Sequence, residues 1–76
     1  MVSKMVDLHQ VEDVKRFVEM VSPYDEDVTL CSGRFVVNAK SILGILSLDL
    51  EKPVRMDVYG DDAQSLLDRL ASFIVE

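Results

Sequence analysis

Apolar residues in this chain switch repeatedly between a helical and an alternating period, and few architectures accommodate that switch. Val11, Val14, Phe17, Val18 and Val21 recur at helical spacing, with Glu12, Asp13, Lys15, Arg16 and Glu19 on the other side. This predicts a helix over residues 10–21, with acidic residues in its first turn where the helix dipole favours them. Ser22-Pro23 ends it, because proline disfavours continuation. Residues 27–32 then alternate, Val28 and Leu30 against Thr29 and Cys31. Ser32-Gly33 reads as a turn, and residues 34–37 alternate again with Phe35 and Val37 on one side, which makes a hairpin. Val54, Met56 and Val58 give the cleanest strand, residues 54–59, after a turn at Glu51-Lys52-Pro53. Leu66, Leu67, Leu70, Phe73 and Ile74 form the stripe of a last helix, for which Asp61 and Gln64 have the spacing of a cap and its third-turn-position partner. Residues 1–8 mix Val2, Met5, Val6 and Leu8 with polar residues and favour a short strand.

Between hairpin and last strand lies the densest segment, residues 36–48. Asn38 offers an oxygen to the N–H groups of a following short helix. Ile42, Ile45 and Leu46 fall at i, i+3, i+4, so one side of that helix can dock on a core. Leu43 lies off that side and is either covered by another element or left for a partner. The element order is strand, helix, strand, strand, short helix, strand, helix. Each strand has one apolar face and each helix one apolar stripe, so the economical packing is an α+β open-faced sandwich. It has a four-stranded, mainly antiparallel sheet with three helices on one face. Leu30, Phe35, Val58, Leu66, Leu70 and Phe73 are expected in one core.

The chain of 76 residues is expected to form one domain, 1–76. It has no apolar run long enough to span a bilayer and no signal-peptide pattern, so the expectation is a cytoplasmic protein without membrane insertion. The single cysteine, Cys31, cannot close an internal disulfide, and one histidine with one cysteine cannot build a closed zinc site. No metal and no cofactor are therefore expected. The net charge of −6 without a basic cluster argues against nucleic acid and is compatible with protein partners. Cys31 and the four methionines read as packing residues.

The segment Val37-Asn38-Ala39-Lys40-Ser41-Ile42-x-Gly44-x-x-Ser47-Leu48 resembles the regulatory-serine motif of HPr, the histidine-containing phosphocarrier family of the bacterial sugar phosphotransferase system. Phe17-Val18 resembles the apolar pair of that family's first helix, and Gly60-Asp61-Asp62 its acidic lead into the last helix. The resemblance runs from about Gln10 to the end of the chain and implies the same βαββαβα sandwich. It also implies protein partners: phosphotransferase components, a serine kinase or a transcriptional regulator of carbon catabolite control. The matching serine is Ser41, and Ile42, Leu43 and Leu46 match the family's apolar docking patch. Capping of the short helix by Ser41 and Asn38, and core packing of the three apolar residues, are the alternatives to these roles.

The resemblance fails at the family's histidine, which sits in Gly-Leu-His-x-Arg-Pro at the start of the first helix. Counting back from Phe17, Gln10 falls on the histidine, Glu12 on the arginine and Asp13 on the proline. His9 is one residue early. Glutamine has no titratable nitrogen to take a phosphoryl group, and two carboxylates at this helix end repel phosphate. A catabolite-repression branch of the family also carries glutamine there and keeps the serine, although this chain lacks that branch's Arg-Pro pair. The resulting expectation is an HPr-like regulatory or binding module, not an enzyme, that has lost histidine phosphotransfer. The alternative is an active phosphocarrier that accepts a phosphoryl group on His9 and passes it to sugar-transport components.

Overall fold

The computed structural model describes residues 1–75. The elements are β1 (Val2–Val6), α1 (Val11–Val21), β2 (Asp27–Ser32), β3 (Phe35–Asn38), α2 (Ile42–Leu46), β4 (Val54–Tyr59) and α3 (Ala63–Arg69). The strands form one sheet in the order β1-β4-β2-β3, with every pairing antiparallel. This is the α+β open-faced sandwich expected from the period changes.

Strand alternation decides which side of the sheet the helices cover. Val6, Val28, Leu30, Val54, Met56 and Val58 are buried with Val14, Phe17, Val18 and Val21 of α1, Ile45 of α2, and Ala63, Leu66 and Leu67 of α3. Phe17 and Phe73 meet edge to face, with ring centroids 5.8 Å apart and planes at 83°, a geometry that aligns ring edge with ring face. The β2–β3 turn rests on Gly33, whose φ of +58° suits a two-residue turn with glycine at its first central position.

Four details depart from the sequence reading. Phe35 shares its strand face with Val37 but is 69% exposed, because it stands in the last pair of the hairpin, opposite Ser32, beyond the cover of the helices. Val11 is also exposed: the first residue of α1 overhangs the end of the core. The last helix stops at Arg69. Leu70 and Phe73 remain buried through a following turn, and Ile74 bridges back to Val6. The cap pair Asp61 and Gln64 does not form. Asp62 holds the cap position without a side-chain bond, while Gln64 donates to Asp68 at 2.9 Å.

The segment after α3 closes the outer edge of β1. Asp7 N–H donates to the Phe73 carbonyl at 2.9 Å and Val75 N–H to that of Met5 at 3.0 Å. Among the described residues, the opposite edge, β3, has no neighbouring strand beyond β2. Among the described residues, no helix is long and apolar enough to cross a membrane.

Candidate functional site

The start of α1 follows from a short β1–α1 connection. Leu8 is buried and anchors it, leaving His9 and Gln10 on the surface. Gln10 is the N-cap residue of α1, with extended backbone. Its N–H, which would face an anion bound at this helix end, donates to the Asp13 carboxylate at 3.3 Å. Glu12 stands exposed in the same first turn. His9 points its Nε2 at Asp7 Oδ2, 3.1 Å away, with its side chain more than half exposed. Two carboxylates, Glu12 and Asp13, thus stand in the first turn of α1, and a third, Asp7, engages His9 in the connection before it. A phosphoryl group there meets like charge rather than the arginine that would neutralise it.

The second region is α2, which packs against α1 and β3. Ser41 is its N-cap residue, and its Oγ accepts the Gly44 N–H at 3.1 Å. Asn38 takes a different role. Its Oδ1 accepts the Lys40 N–H at 2.9 Å, which shapes the turn between β3 and α2 rather than capping the helix. The Lys40 ammonium does not lie over Ser41, since it donates to the Tyr24 carbonyl past the end of α1. Gly44 sits in close packing: a Cβ there would lie 3.3 Å from both Val37 Cβ and Ser41 Oγ, tight enough that these neighbours would have to shift by a few tenths of an ångström.

The apolar residues of α2 divide unevenly. Ile45 alone is fully buried. Leu43 is 81% exposed, and Ile42 and Leu46 are each more than a third exposed. The sequence placed Leu46 on the docking stripe, but five residues make less than a turn and a half, so only one of them reaches the core. Ile42, Leu43 and Leu46 therefore form one surface patch beside Ser41.

Ser41→Ala should cost about 0.5–2 kcal/mol of stability, the usual effect of losing an N-cap bond. Urea unfolding measures it, and a loss below about 0.3 kcal/mol would show that Ser41 Oγ is dispensable to the helix.

One polar group escaped the sequence reading. Asp57, on the uncovered face of β4, is only 3% exposed. Its carboxylate accepts the Ser3 hydroxyl at 2.6 Å and the Cys31 thiol at 3.7 Å, and pairs with Arg55 Nε at 3.2 Å. The Ser3 bond holds this carboxyl below its ordinary range, against the opposing effect of desolvation, with Arg55 and Cys31 adding to the lowering. Ser3 and Asp57 are direct cross-strand partners, as are Cys31 and Arg55. The network therefore depends on sheet register, which residue spacing does not reveal. No group of three or more metal-ligating side chains occurs among the described residues.

An open-faced antiparallel sandwich with a capping serine at its short second helix and a surface site at the start of its first helix defines a phosphocarrier-type domain. Residues 4–76 match the family model described as the PTS HPr component phosphorylation site. The chain belongs to the HPr-like phosphocarrier family. It is 33% identical over 69 residues to the HPr-like protein Crh of Bacillus subtilis, covering 88% of this chain and 81% of that one. It superposes on the crystal structure of the phosphocarrier protein HPr from Bacillus anthracis with a TM-score of 0.77 at 28% identity, covering 97% and 96% of the two chains. The Crh structure, described as a domain-swapped dimer, gives a TM-score of 0.70 at 32% identity over 91% and 79%.

Proposed function

We propose that this protein is a regulatory or binding member of the HPr family that does not carry phosphate on a histidine. The observation that carries the reading is that the Asp13 carboxylate occupies the Gln10 N–H at the start of α1, and counting back from Phe17 assigns Gln10 to the family's histidine position. Glu12 and Asp13 replace the arginine and proline that would hold phosphate. The likeness to Crh, a family member named as HPr-like rather than as a carrier, agrees with this. The partners are proteins, namely a serine kinase acting at Ser41 and a transcriptional regulator or transport component that docks on Ile42, Leu43 and Leu46.

Phosphate on Ser41 adds up to two negative charges at the rim of the apolar patch and replaces a neutral cap by a charged one. It is the switch of this reading. Treated with ATP and a serine kinase of the family, the protein should acquire acid-stable phosphate that is absent from Ser41→Ala. Absence of any such phosphate would remove the switch. The second reading, phosphotransfer through His9, is favoured only by the exposure of its ring. It predicts acid-labile phosphate instead.

Leu43→Asp should abolish partner capture from the native host while leaving the circular dichroism unchanged, because Leu43 makes little contact with the domain itself. A large exposed apolar side chain of this kind commonly carries much of an interface's energy. Recovery of the same partners at the same yield by a folded Leu43→Asp variant would exclude this surface.

A further inference from the structure

Lys40 stands immediately before Ser41, and its ammonium faces a neutral acceptor. It donates to the Tyr24 carbonyl, in the connection between α1 and β2, through a partly buried bond. Neither ion pair among the described residues involves Lys40, although the chain has 14 acidic side chains. A charged donor binds a neutral carbonyl more weakly than it binds a charged acceptor. The ammonium is therefore held at Tyr24 only until an anion comes within its reach.

Tyr24 joins three parts of the domain. Its N–H donates to the Val21 carbonyl at 3.0 Å, at the end of α1. Its hydroxyl meets the Ser65 hydroxyl of α3 at 3.3 Å. Its side chain packs, partly buried, against the core. The Lys40 bond is the contact that ties the α1–β2 connection to the segment carrying Ser41.

A phosphate on Ser41 stands one residue from that ammonium. Consecutive Cα atoms lie about 3.8 Å apart, and lysine carries its charge on a flexible stem. Rotation of the side chain is enough to bring the ammonium to the phosphate. Residues 28–48 contain one other basic residue, Arg34, which sits in the β2–β3 turn at the far end of β3. The five residues of α2 give only a small dipole to offset the new charge.

From these contacts we infer that Lys40 is the residue through which the domain responds to phosphate on Ser41: its ammonium leaves the Tyr24 carbonyl for the phosphate and frees the α1–β2 connection, residues 22–26. The inference rests on the reading of Ser41 as a phosphorylation site. Lys40 acts as a positioning residue and takes no part in the transfer itself. The response is local, because the Tyr24 N–H and hydroxyl keep their partners. The connection carries Asp25 and Glu26, so a modification beside α2 is displayed on a second surface as well. A partner that grips the freed connection binds the phosphorylated protein more tightly, by linkage.

The test uses the full chain, isotope-labelled for NMR, with phosphate on Ser41 installed during synthesis by incorporating phosphoserine, so that no kinase is needed. The chemical shift of the Tyr24 carbonyl carbon reports on its hydrogen bond. Phosphate should move that shift to the value found in unphosphorylated Lys40→Met, and should leave it unmoved in Lys40→Met itself. Exchange of the Tyr24 amide should become about threefold faster or more in the phosphorylated wild type, with the circular dichroism unchanged. A Tyr24 carbonyl shift that ignores the phosphate would overturn the inference, and this comparison needs no variant. So would a displacement of the same size in Lys40→Met, since the connection would then respond without the ammonium. Failure of a kinase to label Ser41 would instead remove the reading of Ser41 as a natural site, and the response to installed phosphate would stand.

Discussion

Leu70→Ala should destabilise the protein by about 2–5 kcal/mol, the range for truncating a fully buried leucine. A domain of this size has a total stability of about 4–11 kcal/mol, so the loss is a large share of the whole. Leu70 has no exposed surface, although it lies at the end of α3 rather than inside it. Its N–H donates to the Leu66 carbonyl at 3.0 Å, and its own carbonyl accepts from Phe73 at 2.9 Å. The backbone on both sides is fixed, so the site cannot collapse to fill the cavity left behind. Urea unfolding should show a lower midpoint with an unchanged slope. A loss below about 1 kcal/mol would mean that the turn after α3 does not carry the core as described.

Asp57→Asn should cost about 1–3 kcal/mol at neutral pH, because it replaces a charged acceptor of the Ser3 hydroxyl by a weaker one in a site with almost no water. Arg55 is more than half exposed and remains solvated when its partner is lost, so it adds little to that cost. The pH dependence has a definite sign. The folded Asp57 carboxyl is lowered from its ordinary 3.8, so its stabilisation is fully present above that value and is lost as pH falls through the folded value. The difference in stability between wild type and Asp57→Asn should therefore shrink on acidification. A difference that stays constant or grows in acid would contradict the network.

The parts of the fold that depend on period were legible in the sequence. Val54, Met56 and Val58 lie inward, and α1 buries Val14, Phe17, Val18 and Val21. What escaped depends on where elements end and on what lies opposite. Phe35 has the correct face and the wrong depth, because nothing local tells how far the helices extend over a hairpin tip. Asn38 and Ser41 are both good cap residues, and only the turn geometry assigns the cap to Ser41. Asp57 looked like an outward strand residue. Its burial depends on Ser3, 54 positions away, and on Cys31, 26 positions away.

The two candidate regions differ in the same way. At the start of α1 the proposal rests on residue types that are local in sequence, Gln10, Glu12 and Asp13 in order. The structure adds that Asp7 and Asp13 are already engaged with His9 and with the Gln10 N–H. In α2 the sequence left Leu46 between core and surface. The shortness of the helix decides it, with only Ile45 reaching inward.

The central claim is that this family member no longer carries phosphate on histidine, and one measurement bears on it directly. Wild type and His9→Ala are each incubated with labelled phosphoenolpyruvate and the upstream phosphotransferase enzyme, beside a complete HPr as the positive control. The acid-labile phosphate bound per chain is then counted. The account predicts background labelling of both proteins while the control is labelled fully, because Gln10 cannot accept the group, Asp7 engages His9, and Glu12 and Asp13 put two more carboxylates in the first turn of α1. Stoichiometric acid-labile phosphate on wild type that disappears in His9→Ala would contradict it and make this protein a working phosphocarrier.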